Sequence, residues 1–266
     1  MRALVLEGFE RDAVELLGSR RVVWRAGSGP CVVILSEIPG ITPSVAGFAR
    51  RVADAGMSVA MPHLFGEDGR EPSAGYLAAS LARACVSSEF RVLAVGRSSP
   101  IVDWLRALAR LEHARCGGPG VGVVGMCFTG GFGLAMLADA PVLAPVLSQP
   151  SLPMSIGRRR AADVGCSPAE LAAAREQLAR GACVMALRFT HDPAVRAARF
   201  DTLRRELGDR LIAIELDSSP GNPYGHRKGA HSVLTEDYID REGSPTRDAM
   251  QRVIAFLRSQ LGVDPA

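Results

Sequence analysis

The stretch Gly122–Gly133, "GVVGMCFTGGFG", places one cysteine between an apolar run and a series of small residues. The apolar run has the composition of a buried strand, and the small residues allow the chain to turn sharply into a helix. We expect Cys127 at that turn, exposed above the sheet edge with the following backbone N–H groups beside it. An ordinary buried thiol at a strand–helix junction is the alternative, and this stretch alone does not separate the two.

Outside this stretch, short runs rich in Val, Ile, Leu and Ala alternate with longer segments of helical period. The alternation is typical of an α/β fold with a mostly parallel central sheet and helices on both faces. The predicted strands are Arg21–Trp24, Cys31–Leu35, Met57–Met61, Val121–Gly125, Val142–Leu147, Cys183–Phe189 and Leu211–Leu216. The predicted helices are Thr42–Ala55, Ser73–Cys85, Pro100–His113, Ser167–Ala179, Ala194–Leu207 and Thr246–Leu261. No repeat or long linker interrupts the pattern, so we expect one domain over residues 1–266.

Composition and charge exclude several classes of protein. The 266 residues are 47% hydrophobic and carry a formal net charge of +3, with dispersed basic residues, so we expect no nucleic-acid partner. Arg158–Arg160 is a local basic run that we interpret as a solvated loop or helix end. No apolar stretch has the length of a membrane span. The N-terminal segment Met1–Gly8 is not a signal peptide by its pattern, because its apolar run is too short and an acidic residue follows it too early. We therefore expect a cytoplasmic protein with no membrane partner.

The cysteine and histidine spacings offer little support for a disulfide framework or a metal site. The six cysteines form no Cys-x-x-Cys pair, and no clustered Cys/His motif occurs. No glycine-rich phosphate loop occurs either, so we expect no cofactor. The cysteines other than the one in the glycine-rich turn are interpreted as structural or incidental; they are Cys31, Cys85, Cys116, Cys166 and Cys183.

Ligands of parallel sheets bind beyond the carboxyl ends of the strands, so polar residues just past a strand are candidates. Glu37, Cys127 and Asp192 each follow a predicted strand, and a histidine lies in the loop after the last one. A thiol, an imidazole and a carboxylate are the groups that nucleophilic catalysis requires. The residues themselves leave His226 and His231 as alternatives for the histidine, although His226 stands in the more solvated setting beside Arg and Lys.

Four motifs together resemble the dienelactone hydrolase family of the α/β-hydrolase fold: "SEIPGITP" (36–43), "GMCFTGG" (125–131), "LRFTHDP" (187–193) and "GAHSVLT" (229–235). The resemblance extends from about Val22 to Leu261. It implies Cys127 as the nucleophile, Asp192 as the acid that orients the histidine, and His231 as the base. It further implies that Glu37 lies near the thiol, and that the backbone N–H groups of Ile38 and Phe128 form the oxyanion hole.

The reaction implied by the resemblance is hydrolysis of a small ester or lactone through a Cys-His-Asp triad and a thioester intermediate. A thioesterase or peptidase using the same site is one alternative. A catalytically inactive small-molecule binding protein of the same fold is another. The oligomeric state stays open between a monomer and a homodimer.

Two positions depart from the family pattern. Thr129 stands where the motif has glycine, and Thr235 stands where the family has an arginine that binds the substrate carboxylate. Arg83 and Arg91 are candidates for the other carboxylate contact, and His63 is a further candidate for the pocket wall. The substrate's identity is therefore left open.

Overall fold

The computed structural model of the chain describes residues 2–86, 99–139, 141–152 and 157–264. Within these ranges eight strands form one sheet in the order β1-β2-β4-β3-β5-β6-β7-β8. The strands are β1 Glu10–Leu16, β2 Ser19–Ala26, β3 Cys31–Leu35, β4 Ser58–Pro62, β5 Val121–Met126, β6 Val142–Ser148, β7 Val184–Phe189 and β8 Leu211–Leu216. Strands β3 to β8 are mutually parallel, and β2 is antiparallel to both of its neighbours. The predicted α/β class with a mostly parallel sheet is confirmed.

Helices connect the parallel strands. They are α1 Arg2–Val5, α2 Pro43–Asp54, α3 Ala74–Val86, α4 Pro100–Cys116, α5 Gly130–Met136, α6 Arg158–Ala161, α7 Pro168–Ala179, α8 Ala197–Leu207 and α9 Pro245–Leu261. All six predicted helices are present, although α8 begins at Ala197 rather than Ala194. The basic run 158–160 forms the short helix α6, whose arginines are largely exposed. Among the described helices, none combines the length and apolarity that crossing a bilayer requires.

The sheet is covered on both faces, because alternate side chains of its strands belong to different core clusters. In β3, Val32 and Ile34 join a core cluster with residues of α2 and α9. Cys31, Val33 and Leu35 point the other way and join a cluster with α4 and α5. Because successive side chains of a strand point to opposite faces, both faces of this strand are buried, which explains its uninterrupted apolar sequence.

The sequence analysis missed the edge strand β1 and shortened β2. Strand β1 reads "ERDAVEL", and Val14 is its only buried residue. It pairs with β2 through a tight hairpin in which Leu17 and Gly18 both have positive φ. A strand at the sheet edge needs no apolar run, so its charged sequence carried no strand signal.

Glycines allow the backbone around the turn between β5 and α5 to pack in close contact with neighbouring backbone atoms. A Cβ atom placed on Gly125 would lie 2.3 Å from the carbonyl oxygen of Thr129, and one on Gly130 would lie 2.5 Å from Cα of Pro150. Both contacts are with backbone, which cannot move aside as a flexible side chain would. The turn between strand and helix therefore requires glycine at these positions for steric reasons.

This packing yields a test of the turn. We expect Gly125→Ala to lower the free energy of unfolding by about 2 kcal/mol or more, because the added methyl overlaps backbone atoms. The matched control is Gly47→Ala in α2, where an added Cβ meets nothing within 4 Å. That substitution should stabilise the protein by about 0.5 to 1 kcal/mol through helix propensity. Urea unfolding measures both; equal stability of the two variants would contradict the steric argument.

Candidate active site

Cys127 lies at the turn between β5 and α5 with a left-handed backbone, φ +52°. Non-glycine residues adopt this conformation rarely, and at such a cost that the surroundings must enforce it. The backbone N–H of Ser151 donates to the carbonyl oxygen of Cys127 over 2.9 Å. The Ser151 hydroxyl also lies 3.2 Å from the Cys127 sulfur. The side chain of Cys127 is half-buried and borders a cavity.

Thr129, where the family pattern has glycine, fastens this turn to the neighbouring strand. Its hydroxyl accepts a hydrogen bond from the Met126 backbone N–H over 2.9 Å. The same hydroxyl lies 2.9 Å from the carbonyl oxygen of Leu35, at the end of β3, to which it can donate. The side chain is fully buried. The threonine thus links the ends of β5 and β3, which precede Cys127 and Glu37.

His231 and Asp192, which come from different loops, are hydrogen-bonded to each other. The Nδ1 atom of His231 lies 2.6 Å from Oδ2 of Asp192. The other carboxylate oxygen of Asp192 accepts from the Ala194 backbone N–H over 2.8 Å, and the residue is only 4% exposed. The Cys127 sulfur, a ring nitrogen of His231 and a carboxylate oxygen of Glu37 all lie within 4.8 Å of one another. The four predicted catalytic residues therefore converge at one site.

His231 is held in place by a second carboxylate. Oδ2 of Asp237 accepts from the backbone N–H groups of His231 over 2.7 Å and of Ser232 over 3.0 Å. Arg227 pairs with the same carboxylate over 2.8 Å. Burial acts to raise the pKa of Asp237, but the bonds from Arg227 and from these two amides outweigh it and lower the pKa. An ionised Asp237 therefore anchors the loop that carries the histidine.

Charge around the imidazole favours its protonated form. Burial acts to lower the pKa of His231, yet the nearby Cys127 sulfur and the Asp192 carboxylate raise it well above its usual value. A cation between two potential anions gains more from them than it loses by desolvation. The arrangement can hold a thiolate–imidazolium pair, with Asp192 fixing the Nδ1 proton.

Glu37 is buried beside the thiol in a network of neutral donors. Its side chain accepts hydrogen bonds from Ser232 over 2.7 Å, from Gln149 over 3.3 Å, and from Thr235. Burial raises the pKa of Glu37, whereas His231 and the hydroxyl donors act to lower it. The net shift is upward because burial outweighs these hydrogen bonds, which favour the ionised form. The carboxyl oxygens are engaged by protein donors and are therefore less available to a metal ion.

The cavity above the cysteine has a volume of about 500 Å³. Its wall includes Ile38 and Phe128, the two residues whose backbone N–H groups are the predicted oxyanion donors. The remaining apolar lining residues are Pro39, Pro72, Leu77, Leu81, Leu152 and Ala194. Among the described residues, the charged groups at the wall are Glu37, His231, Glu236 and the Arg227 already paired with Asp237. The chamber is therefore largely apolar, with Glu37 and His231 close to the thiol.

Of the predicted substrate-contacting residues, His63 and Arg83 do not belong to the wall of this cavity. The Nδ1 atom of His63 lies 2.7 Å from Asp68, which also accepts from the Trp24 indole over 2.9 Å. Arg83 is exposed on α3 and does not belong to the cavity wall. Arg91 lies outside the described residues.

The alternative histidine, His226, has a setting different from the solvated one expected from its neighbours. It is 6% exposed and packs edge-on against Phe189, with ring centroids 5.0 Å apart. Burial lowers its pKa. The His226 ring is therefore buried against Phe189, whereas the His231 ring is the one that is hydrogen-bonded to Asp192.

Sequence reasoning missed three polar residues of the site: Gln149, Ser151 and Ser232. The first two follow β6 directly, and β6 is a parallel strand whose carboxyl end lies beside that of β5. The rule that selected the other candidates would have found them if applied to this strand as well. No local signal marks Ser232 beyond its place next to His231.

Comparison with known proteins identifies the family of this chain. The model of the dienelactone hydrolase family matches residues 21–261. The chain belongs to the dienelactone hydrolase family. A comparison of this family member with curated protein sequences finds no match.

Solved structures resemble this dienelactone hydrolase family member over almost their whole length. A putative dienelactone hydrolase from Klebsiella pneumoniae has a TM-score of 0.61 and 16% identity, covering 94% of this chain and 97% of its own. A dienelactone hydrolase-like promiscuous phosphotriesterase from metagenomic libraries has a TM-score of 0.54 and 18% identity, covering 94% and 98%. The thioesterase domain from the curacin biosynthetic pathway has a TM-score of 0.55 and 11% identity, covering 94% and 99%. At these identities the likeness shows the α/β-hydrolase fold.

The raised pKa of Glu37 predicts a pH-dependent stability difference. A carboxyl whose folded-state pKa is raised destabilises the fold as the pH climbs from its ordinary pKa of 4.5 through the raised value. Glu37→Gln removes that titration, so its free energy of unfolding should rise relative to wild type as the pH increases over this range. Urea unfolding across the range measures the difference, and Glu71→Gln on an exposed loop controls for the loss of one charge. A difference that falls with pH would contradict the buried-acid description.

Proposed function

We propose that this protein is an ester or lactone hydrolase that works through Cys127, His231 and Asp192. The observation that carries the proposal is a cysteine with a left-handed backbone whose sulfur lies within 4.8 Å of an imidazole. That imidazole is in turn bound to a buried carboxylate over 2.6 Å. Membership of the dienelactone hydrolase family supports hydrolysis as the reaction class.

In the first half of the proposed reaction, His231 accepts the thiol proton, and the Cys127 thiolate attacks the substrate carbonyl carbon. Asp192 keeps the Nδ1 proton in place and stabilises the imidazolium that forms. The hydroxyl of Ser151, 3.2 Å from the sulfur, is positioned to donate a hydrogen bond to the thiolate. The carbonyl oxygen gains a negative charge, which the backbone N–H groups of Ile38 and Phe128 would bind.

Collapse of this intermediate breaks the bond to the leaving alcohol, which takes its proton from His231 and leaves a thioester on Cys127. In the second half, His231 removes a proton from water, and the hydroxide attacks the thioester. The acid product leaves, and the sulfur returns as a thiolate beside the imidazolium. One histidine serves both halves as base and acid, and no cofactor enters the scheme.

The cavity wall favours an uncharged, apolar acyl group or lactone ring. Leu77 and Leu81 stand one turn apart on α3 and border the cavity while 45% and 44% exposed. Thr235 occupies the position of the family's carboxylate-binding arginine, and its hydroxyl bonds Glu37. Arg227 is already neutralised by Asp237. A substrate carboxylate would thus lose its hydration without gaining a free cation from the described wall.

The proposal predicts that Cys127→Ala abolishes turnover. We expect kcat for an aryl ester to fall at least about 1000-fold, because the substitution removes the sulfur that attacks the substrate carbonyl. Cys183→Ala is the matched control, since Cys183 is half-buried at the opposite end of the sheet, just before β7. Stopped-flow assays of ester hydrolysis measure both variants. Undiminished kcat in Cys127→Ala would show that Cys127 is not the nucleophile, whereas no turnover by the wild-type protein would favour the inactive binding-protein alternative.

The substrate class is tested separately at the cavity rim. Leu81→Ala should raise KM for aryl esters of medium-length acyl chains about fivefold, since roughly 1 kcal/mol of apolar contact is lost. The KM for the acetate ester should change little. Leu111→Ala, 39% exposed on α4 and outside the cavity wall, is the control. An equal effect on acetate and longer esters would contradict an acyl-binding role for this rim.

A further inference from the structure

A pair of thiols lies at the end of β3 opposite to Glu37. Cys31 opens this strand and Cys116 ends α4, and we call these two residues the basal thiol pair. The two sulfurs and a carboxylate oxygen of Glu112 all lie within 4.8 Å of one another. Cys31 is fully buried, whereas Cys116 is half-buried. One inner and one outer sulfur are thus in contact, far from the catalytic thiol.

The charges around the basal thiol pair are nearly balanced. Glu112 is 1% exposed and accepts from Arg25 Nε over 2.9 Å, while Arg115 lies 3.6 Å from its other oxygen. Arg25 also pairs with Asp12 over 2.8 Å. The carboxylate beside the sulfurs is therefore already compensated by two guanidinium groups. A divalent metal ion at this place would be repelled by those same two guanidinium groups.

The two thiols differ in their readiness to ionise. A hydrogen bond from the Cys31 thiol lowers the pKa of Cys116 to about 6 although burial opposes it, and Ser58 contributes in the same direction. The same hydrogen bond, together with burial, raises the pKa of Cys31 well above its usual value. This division is physically reasonable, because the less buried sulfur loses less hydration when charged. The outer sulfur is therefore the one that ionises more readily, and the inner thiol is the donor of the hydrogen bond to it.

Solvent reaches this region through a surface cavity of about 190 Å³. Its wall includes Arg25, Ser58 and Arg115, and Ser58 is the residue that hydrogen-bonds Cys116. Cys116 does not belong to this wall, but it is only half-buried at the end of α4, so a small molecule can reach it from solvent without any opening of the sheet. The wall is polar, unlike that of the chamber above Cys127.

We propose that the basal thiol pair is a redox site at which hydroperoxides convert Cys116 and Cys31 into a disulfide. The Cys116 thiolate attacks one peroxide oxygen; the O–O bond breaks, and the departing alkoxide or hydroxide takes a proton from water. The sulfur is then a sulfenic acid. Cys31 attacks it, an S–S bond forms, the S–O bond breaks, and the hydroxyl leaves as water with the Cys31 proton. The two sulfurs lose two electrons and the peroxide gains them.

The experiment uses the full-length Cys127→Ala protein, so that the catalytic thiol cannot compete for oxidant. After treatment with excess hydrogen peroxide, we expect the protein to lose the mass of two hydrogen atoms. Non-reducing peptide mapping should show one cross-link between the peptides that carry Cys31 and Cys116, and dithiothreitol should remove it. Adding Cys31→Ser should leave Cys116 as a sulfenic acid that dimedone traps, while adding Cys183→Ser should change nothing.

A second measurement needs no substitution in the buried strand. At about pH 6, iodoacetamide should modify Cys116 about tenfold faster than a free cysteine peptide, because its larger thiolate fraction outweighs its lower nucleophilicity. Alkylation no faster than the peptide, together with no cross-link, would overturn the proposal. So would oxidation of Cys116 to the sulfinic acid with Cys31 left free. A stoichiometric zinc ion released by thiol modification would overturn it in favour of a metal site. None of these outcomes depends on ester hydrolysis.

Discussion

The left-handed backbone of Cys127 is the constraint on which the rest of the site depends. A residue with a side chain at φ +52° is strained by about 1 to 3 kcal/mol and persists only where its neighbours enforce it. Here the enforcement comes from the amide of Ser151, from Thr129, and from the close approach that Gly125 permits. The strain has a geometric consequence. It turns the thiol out of the sheet and toward the cavity, instead of into the packed junction.

The parallel sheet gathers the remaining groups. Strands β3, β5, β6 and β7 end at one edge, and each is followed by a polar residue of the site. The histidine comes from the long loop after β8, and Asp237 ties that loop down through two backbone amides. Residues distant in the chain thereby meet within hydrogen-bond reach. Their mutual positions are fixed by backbone, so little side-chain entropy is lost when they act together.

The two departures from the family pattern have structural meaning in this chain. Thr129 joins the ends of two strands through its hydroxyl, where a glycine could only permit close packing. Thr235 donates to Glu37, where an arginine would have presented a cation. The acid beside the thiol is therefore surrounded by neutral donors, and the described cavity wall offers no uncompensated positive charge. These features support an uncharged substrate more than a carboxylate-bearing lactone.

The sequence by itself determined the fold class, most helices and strands, and the turn at Cys127, because periodicity and turn chemistry are local properties. With the family motifs it also singled out Glu37, Asp192 and His231. Only the tertiary structure decided which polar groups meet: that His226 is buried against Phe189, that His63 bonds Asp68 outside the cavity, and that the charged β1 is a strand. These outcomes depend on contacts between segments far apart in the chain, and no local pattern encodes such contacts.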